Sequence, residues 1–136
     1  MARVRVESVH GPARRRIVKG IRAYNTAALG KLDYKPLTIT MREGQEIVAG
    51  LAAHTAFGWM FIEVLWVSDG KRRKGLGRAL MEKAEGEARK RGVQNAYLNT
   101  FSFQARPFYR KLGYKEFARL NDFPSGHSFH WMTKAL

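Results

Sequence analysis

Residues Arg72–Gly77 read RRKGLG, and they follow the apolar run Trp59–Val67, WMFIEVLWV. Basic side chains beside closely spaced glycines suit an anion. Glycine lets backbone N–H groups approach a ligand closely, and the start of a helix adds the positive end of its dipole. Lys71, Arg72, Arg73 and Lys74 would oppose that dipole if nothing negative sat among them. The backbone N–H groups from Arg73 through Leu76 to Gly77 are therefore read as an anion cradle, with Arg72, Arg73, Lys74 and Arg78 adding charge. A second chemical feature is Glu63, the only charge in the apolar run. Burial there would raise its pKa toward the range of a general base.

The elements that must position these groups follow from periodicity. Arg3–His10 alternates charged and apolar residues and is expected to be a strand. Gly11-Pro12 ends it, and Ala13–Leu29 carries Ile17, Ile21, Tyr24 and Ala28 at helical spacing, with Gly30 as its C-terminal cap. Leu37–Arg42 and Gln45–His54 read as a hairpin, with Gly50 marking a bulge or a close backbone approach. The continuous apolar character of Trp59–Val67 predicts a central strand buried on both faces. A helix over Gly75–Arg91, capped by Gly92, then leads to the strand Val93–Thr100 at the length of a parallel crossover. Ser102–Leu112 is expected to be helical, and Tyr114–Leu120 and His127–Lys134 to be strands. The fold class is α/β (α+β), one domain over residues 1–136, with a mixed, mostly antiparallel sheet of about seven strands and flanking helices.

Composition narrows the chemistry. There is no cysteine, which excludes disulfides, zinc-thiolate sites and a cysteine nucleophile, and fits a reducing cytoplasm. No apolar run is long enough to span a membrane, and MARVRVES has no signal-peptide core, so a cytoplasmic location without membrane partners is expected. The balance of 25 basic against 11 acidic residues, net +14, draws polyanions to the surface. A basic nucleic-acid-binding module is thus the non-enzymatic alternative. No binding motif supports it, and the basic residues are spread through every element.

Three glycine-loop patterns compete at the cradle. Gly70 and Gly75 have P-loop spacing, but Leu76 and Gly77 stand where the lysine and hydroxyl are required. Gly75 and Gly77 open a dinucleotide fingerprint, but Leu80 occupies its third glycine position. The third pattern, [QR]-x-x-G-x-[GA], is met by Arg72-Arg73-Lys74-Gly75-Leu76-Gly77. Downstream, Ala105-Arg106-Pro107-Phe108-Tyr109-Arg110-Lys111-Leu112-Gly113-Tyr114 has the form A-x-x-F-Y-x-K-L-G-Y. With these two motifs in this order, the chain resembles the GNAT superfamily of acetyl-CoA-dependent N-acetyltransferases from about Leu37 onward.

The resemblance implies direct acetyl transfer from acetyl-CoA to a primary amine of a small molecule or peptide, with no metal and no need for nucleic acid. It turns the cradle into a pyrophosphate site. It implies that backbone at Leu65, Trp66 and Val67 aligns the thioester and polarises its carbonyl. It places Ser102, Ala105 and Phe108 against the cofactor, Ser102 standing where the family often has asparagine. Tyr109 becomes the acid that protonates the departing thiolate, and Glu63 the base. His54, His127 and His130 are rival bases, and Trp59, Trp66, Phe101, Phe103 and Trp131 are candidates to line an acceptor pocket. Homodimers are common in the family, so a homodimer is a further expectation. A cofactor-binding regulator without turnover is the alternative within the same fold.

Overall fold

The parallel strand pair that opens the cleft comes from the middle of the chain, where Trp59–Val67 (β3) and Asn95–Phe101 (β4) lie side by side. The computed structural model describes residues 1–136. In chain order the elements are α1 (Gly11–Leu29), β1 (Lys35–Glu43), β2 (Glu46–Ala56), β3, α2 (Leu76–Lys90), β4, α3 (Arg106–Lys111), β5 (Lys115–Asn121) and β6 (Ser128–Ala135). The chain divides into two compact units, Met1–Leu32 and Asp33–Leu136.

In the first unit, Pro12 begins α1, and Gly30, at φ +78°, ends it by donating its N–H to the Thr26 carbonyl. The apolar positions Ile17, Ile21 and Tyr24 are exposed, and α1 buries no residue. The expected strand Arg3–His10 does not form. Its valines Val4, Val6 and Val9 are exposed, and alternation alone cannot make a strand where no neighbouring chain completes its hydrogen bonds. The sheet therefore has six strands rather than about seven.

The second unit holds the sheet, in the order β1-β2-β3-β4-β6-β5. Only β3 and β4 are parallel, and α2 makes the crossover between them. One face of the sheet carries the core: Ala49, Leu51, Met60, Ile62, Leu98 and Met132 meet Leu80, Met81, Ala84 and Ala88 of α2. The other face is partly exposed, with Trp59, Val64 and Trp66 open to solvent. This corrects the expectation that β3 is buried on both faces. Gly50 marks a close approach, since a Cβ there would lie 3.1 Å from the Ile39 carbonyl oxygen.

Two polar networks tie the elements together. Glu85 on α2, 4% exposed, accepts from the Tyr114 hydroxyl (2.9 Å) and from Lys134 Nζ (2.8 Å), so both carboxylate oxygens have partners. His130, fully buried on β6, bonds the Glu116 carboxylate through Nδ1 and the Ser128 hydroxyl through Nε2 (2.7 Å), with Arg106 Nη1 3.4 Å from Glu116.

Candidate active site

A bulge in β3 builds one wall of the cleft. The β2–β3 register steps from Ala53↔Ile62 to Ala52↔Val64, which leaves Glu63 as the extra, unpaired residue. Before the bulge, Met60 and Ile62 point into the core; after it, Leu65 and Val67 do. Glu63 and Val64 are consequently both exposed. The parallel pairing of β3 with β4 ends at Ile62↔Leu98, so the strands part beyond that point. The opening is a cleft of about 1380 Å³. That exceeds the roughly 300–1,000 Å³ typical of small-ligand pockets and suits a long ligand.

At one end of the cleft stands α2. Gly75, its N-cap, has φ +77°, and no side chain caps the helix or places an acid in its first turn. The first backbone N–H groups of a helix have no partners within it, so these are left to bind something else. Arg73 is also left-handed at φ +63°, two residues before Gly75. Gly77 is needed for packing, since a Cβ there would lie 3.3 Å from Phe108 Cζ and 3.9 Å from Leu65 Cδ2.

The basic side chains divide the work. Arg72 donates from Nε to the Val67 carbonyl (3.1 Å) and pairs with Asp69 (3.2 Å), so it shapes the loop. Lys71 pairs with Glu43 at 2.6 Å and Arg78 with Glu82 at 2.9 Å. Arg73 lines the cleft and makes no ion pair, whereas Lys74 is not among the lining residues. The residues that line the cleft include Glu63, Leu65, Trp66, Val67, Arg72, Arg73, Gly75, Leu76, Gly77, Arg78, Ala105, Phe108 and Tyr109.

Ser102 lies outside the lining, because its hydroxyl accepts from the Ser128 N–H at 3.0 Å. Gln104 lines the cleft instead and accepts from the Phe101 N–H at 2.8 Å. Sequence reasoning did not single out Gln104 or Asn99. Gln104 does lie directly before the second motif, and Asn99 is one of three polar residues of β4, beside Asn95 and Thr100. Trp59 and Trp131 stay outside the cleft, while Trp66, Phe101 and Phe103 line it.

Tyr109 reaches the cleft from α3 while remaining only 8% exposed. Burial pushes its phenol up to about 12, so it is protonated at neutral pH and can donate. Glu63 is not buried as expected; its side chain is 40% exposed. His54 Nδ1 lies 3.6 Å from Glu63 and has no hydrogen-bond partner. The other two candidate bases are elsewhere: His130 in its buried network, and His127 edge-on against the Phe103 ring at 5.0 Å.

The family model described as the acetyltransferase (GNAT) family matches residues 13–114. The chain belongs to the GNAT family. Acetyltransferase Atu2258 of Agrobacterium fabrum is 37% identical over 113 residues, covering 82% of both chains. Blasticidin-S acetyltransferase of Streptomyces morookaense is 36% identical over 110 residues, covering 77% of this chain and 81% of the relative. The crystal structure of an acetyltransferase from Bacillus cereus superposes with a TM-score of 0.88 at 30% identity, over 98% of each chain. This GNAT chain is thus an acyltransferase, built on the mixed, mostly antiparallel sheet its motifs imply. No helix is long and apolar enough to cross a membrane.

Proposed function

We propose that this GNAT enzyme transfers the acetyl group of acetyl-CoA directly to a primary amine. The reading is carried by the uncapped α2 N-terminus, which opens onto the cleft that also holds Tyr109. Acetyl-CoA fits that site: its pyrophosphate would meet the N–H groups from Arg73 to Gly77 with Arg73 beside them, and the parted strands would take its arm. Bound there, it supplies an activated acyl carbon.

The chain's own groups handle the protons. A lysine-like amine, pKa about 10.4, is only about 1 part in 2,500 neutral at pH 7, so a base that takes its proton raises the reactive fraction. Glu63 is that base, exposed to the arriving cation and held beside His54. The neutral nitrogen then forms the N–C bond as the C–S bond breaks, Tyr109 gives its proton to the leaving sulfur, and the proton the nitrogen sheds on becoming an amide restores the phenol. Backbone of Leu65–Val67, freed from pairing with β4, polarises the carbonyl. A relative named for the acetylation of blasticidin-S supports a small-molecule amine as the acceptor.

Calorimetry with acetyl-CoA and a thiol-release assay over a panel of amines test this reading. Saturable binding and amine-dependent release of free thiol are expected. An absence of acetyl-CoA binding overturns it.

A further inference from the structure

The cleft has a second end, and its chemistry is unlike the cradle's. Phe101, the last residue of β4, and Phe103 stack with their planes within 12° and centroids 5.0 Å apart. Phe123, in the β5–β6 loop, lies parallel to Phe101 within 12° at 5.9 Å. Phe129 is paired with Phe101 in register and is tilted against it at 4.6 Å. Phe101, Phe103 and Phe129 line the same cleft as Glu63 and Tyr109. Yet Phe103 is 58% exposed and Phe123 48% exposed. Rings left in water at a cleft are free to cover a ligand.

Charge along the cleft limits the ligand further. Glu63 is the only carboxylate lining the cleft, while Lys71, Arg72, Arg73 and Arg78 are basic. One negative group can hold one cation, and a chain of net charge +14 repels a molecule carrying several.

We propose that the acceptor is a monoamine carried by a short linker on a flat aromatic or heteroaromatic ring, the ring stacking on Phe103 and Phe101 while the amine meets Glu63. The inference rests on the proposed acetyl transfer and names its acceptor class. The reaction balances as amine plus acetyl-CoA giving N-acetylamine plus free coenzyme A thiol: one N–C bond forms, the C–S bond breaks, and the amine proton is replaced at sulfur.

The test compares phenethylamine and tryptamine with hexylamine, 2-cyclohexylethylamine and spermidine in the thiol-release assay, with acetyl-CoA binding measured in parallel. The aromatic amines should exceed the others in kcat/KM by about tenfold or more. Phe103→Ala should raise KM for phenethylamine by about tenfold and KM for hexylamine by several-fold less, leave the acetyl-CoA Kd unchanged, and be rescued by Phe103→Trp. The proposal is overturned if acetyl-CoA binds but aliphatic or polycationic amines match the aromatic ones, if no amine releases thiol, or if Phe103→Ala affects every amine equally. In those cases acetyl-CoA binding still stands, whereas no binding at all brings down the acetyl-transfer reading itself. The wild-type comparison decides the matter even if a variant fails to fold.

Discussion

Tyr109 and Tyr114 are five residues apart and are used differently. The Tyr114 hydroxyl donates to buried Glu85, and burial together with that neighbouring negative charge pushes its phenol strongly upward. It is a structural group. Tyr109 instead lines the cleft, with burial alone pushing its phenol up to about 12. The raised value favours the neutral form in the fold, so its stabilising effect is complete below the ordinary value of 10.0 and is lost as pH rises through about 12. The phenol therefore stays protonated throughout the neutral range, as the proposed acid role requires. For Tyr109→Phe, kcat should fall on the order of 10²-fold while the acetyl-CoA Kd stays the same. Stopped-flow or steady-state thiol release reads the first and calorimetry the second; an unchanged kcat removes the acid role.

At the scale of elements, the site exists because one helix begins without a cap and one strand carries an extra residue. The start of α2 leaves its N–H groups pointing at the cleft, and the bulge at Glu63 presents a carboxylate without breaking the core face of β3. Gly75 permits the left-handed turn, and a Cβ there would meet no atom within 4 Å. Replacing it therefore costs backbone strain of about 1–2 kcal/mol but no clash. Gly75→Ala should show that strain as a modest loss in Tm with weakened acetyl-CoA binding. Gly75→Glu should fold comparably, because a carboxylate suits a helix N-terminus. It should nevertheless weaken acetyl-CoA binding on the order of 10²-fold beyond Gly75→Ala, by setting a negative charge where the ligand's belongs. Equal affinities in the two variants would mean the helix terminus does not hold the anion.

Across the molecule, β5, β6 and α3 are locked by the network of Glu116, His130, Ser128 and Arg106. Burial acts to raise the Glu116 carboxyl, but its hydrogen bond to and the charge of His130, joined by Arg106, hold it below the ordinary 4.5. A lowered value means that Glu116 stabilises the fold above the ordinary carboxylate range. That contribution disappears as pH falls through the lower, folded value. Glu116→Gln should therefore reduce Tm at pH 7, and the gap from wild type should close as the pH is taken below 4.5. Thermal melts across that range check it; a gap that persists unchanged into strong acid would show that the network does not depend on the Glu116 charge.

The local grammar was legible in the sequence. The hairpin, β3, α2, the parallel crossover and the two cofactor motifs depend on periodicity, glycine placement and helix length, all of which are properties of short segments. The motifs therefore predicted a cradle at Arg73–Gly77 and brought Tyr109 to the same cleft. What depends on pairing between distant segments was not legible. The valines of Arg3–His10 alternate like a strand, yet no partner completes their hydrogen bonds. Glu63 looked buried within an apolar run, but a register step against β2 exposed it and placed it beside His54. Ser102, expected against the cofactor, lies outside the cleft lining, with its hydroxyl accepting from a β6 backbone N–H. The Phe101, Phe103 and Phe123 stack joins residues from a strand end and two separate turns, a juxtaposition no local pattern encodes. Sequence alone determined which segments would be helix and strand around the cradle. Tertiary pairing decided which of their side chains reach the cleft, because register and bulges are settled only when strands meet.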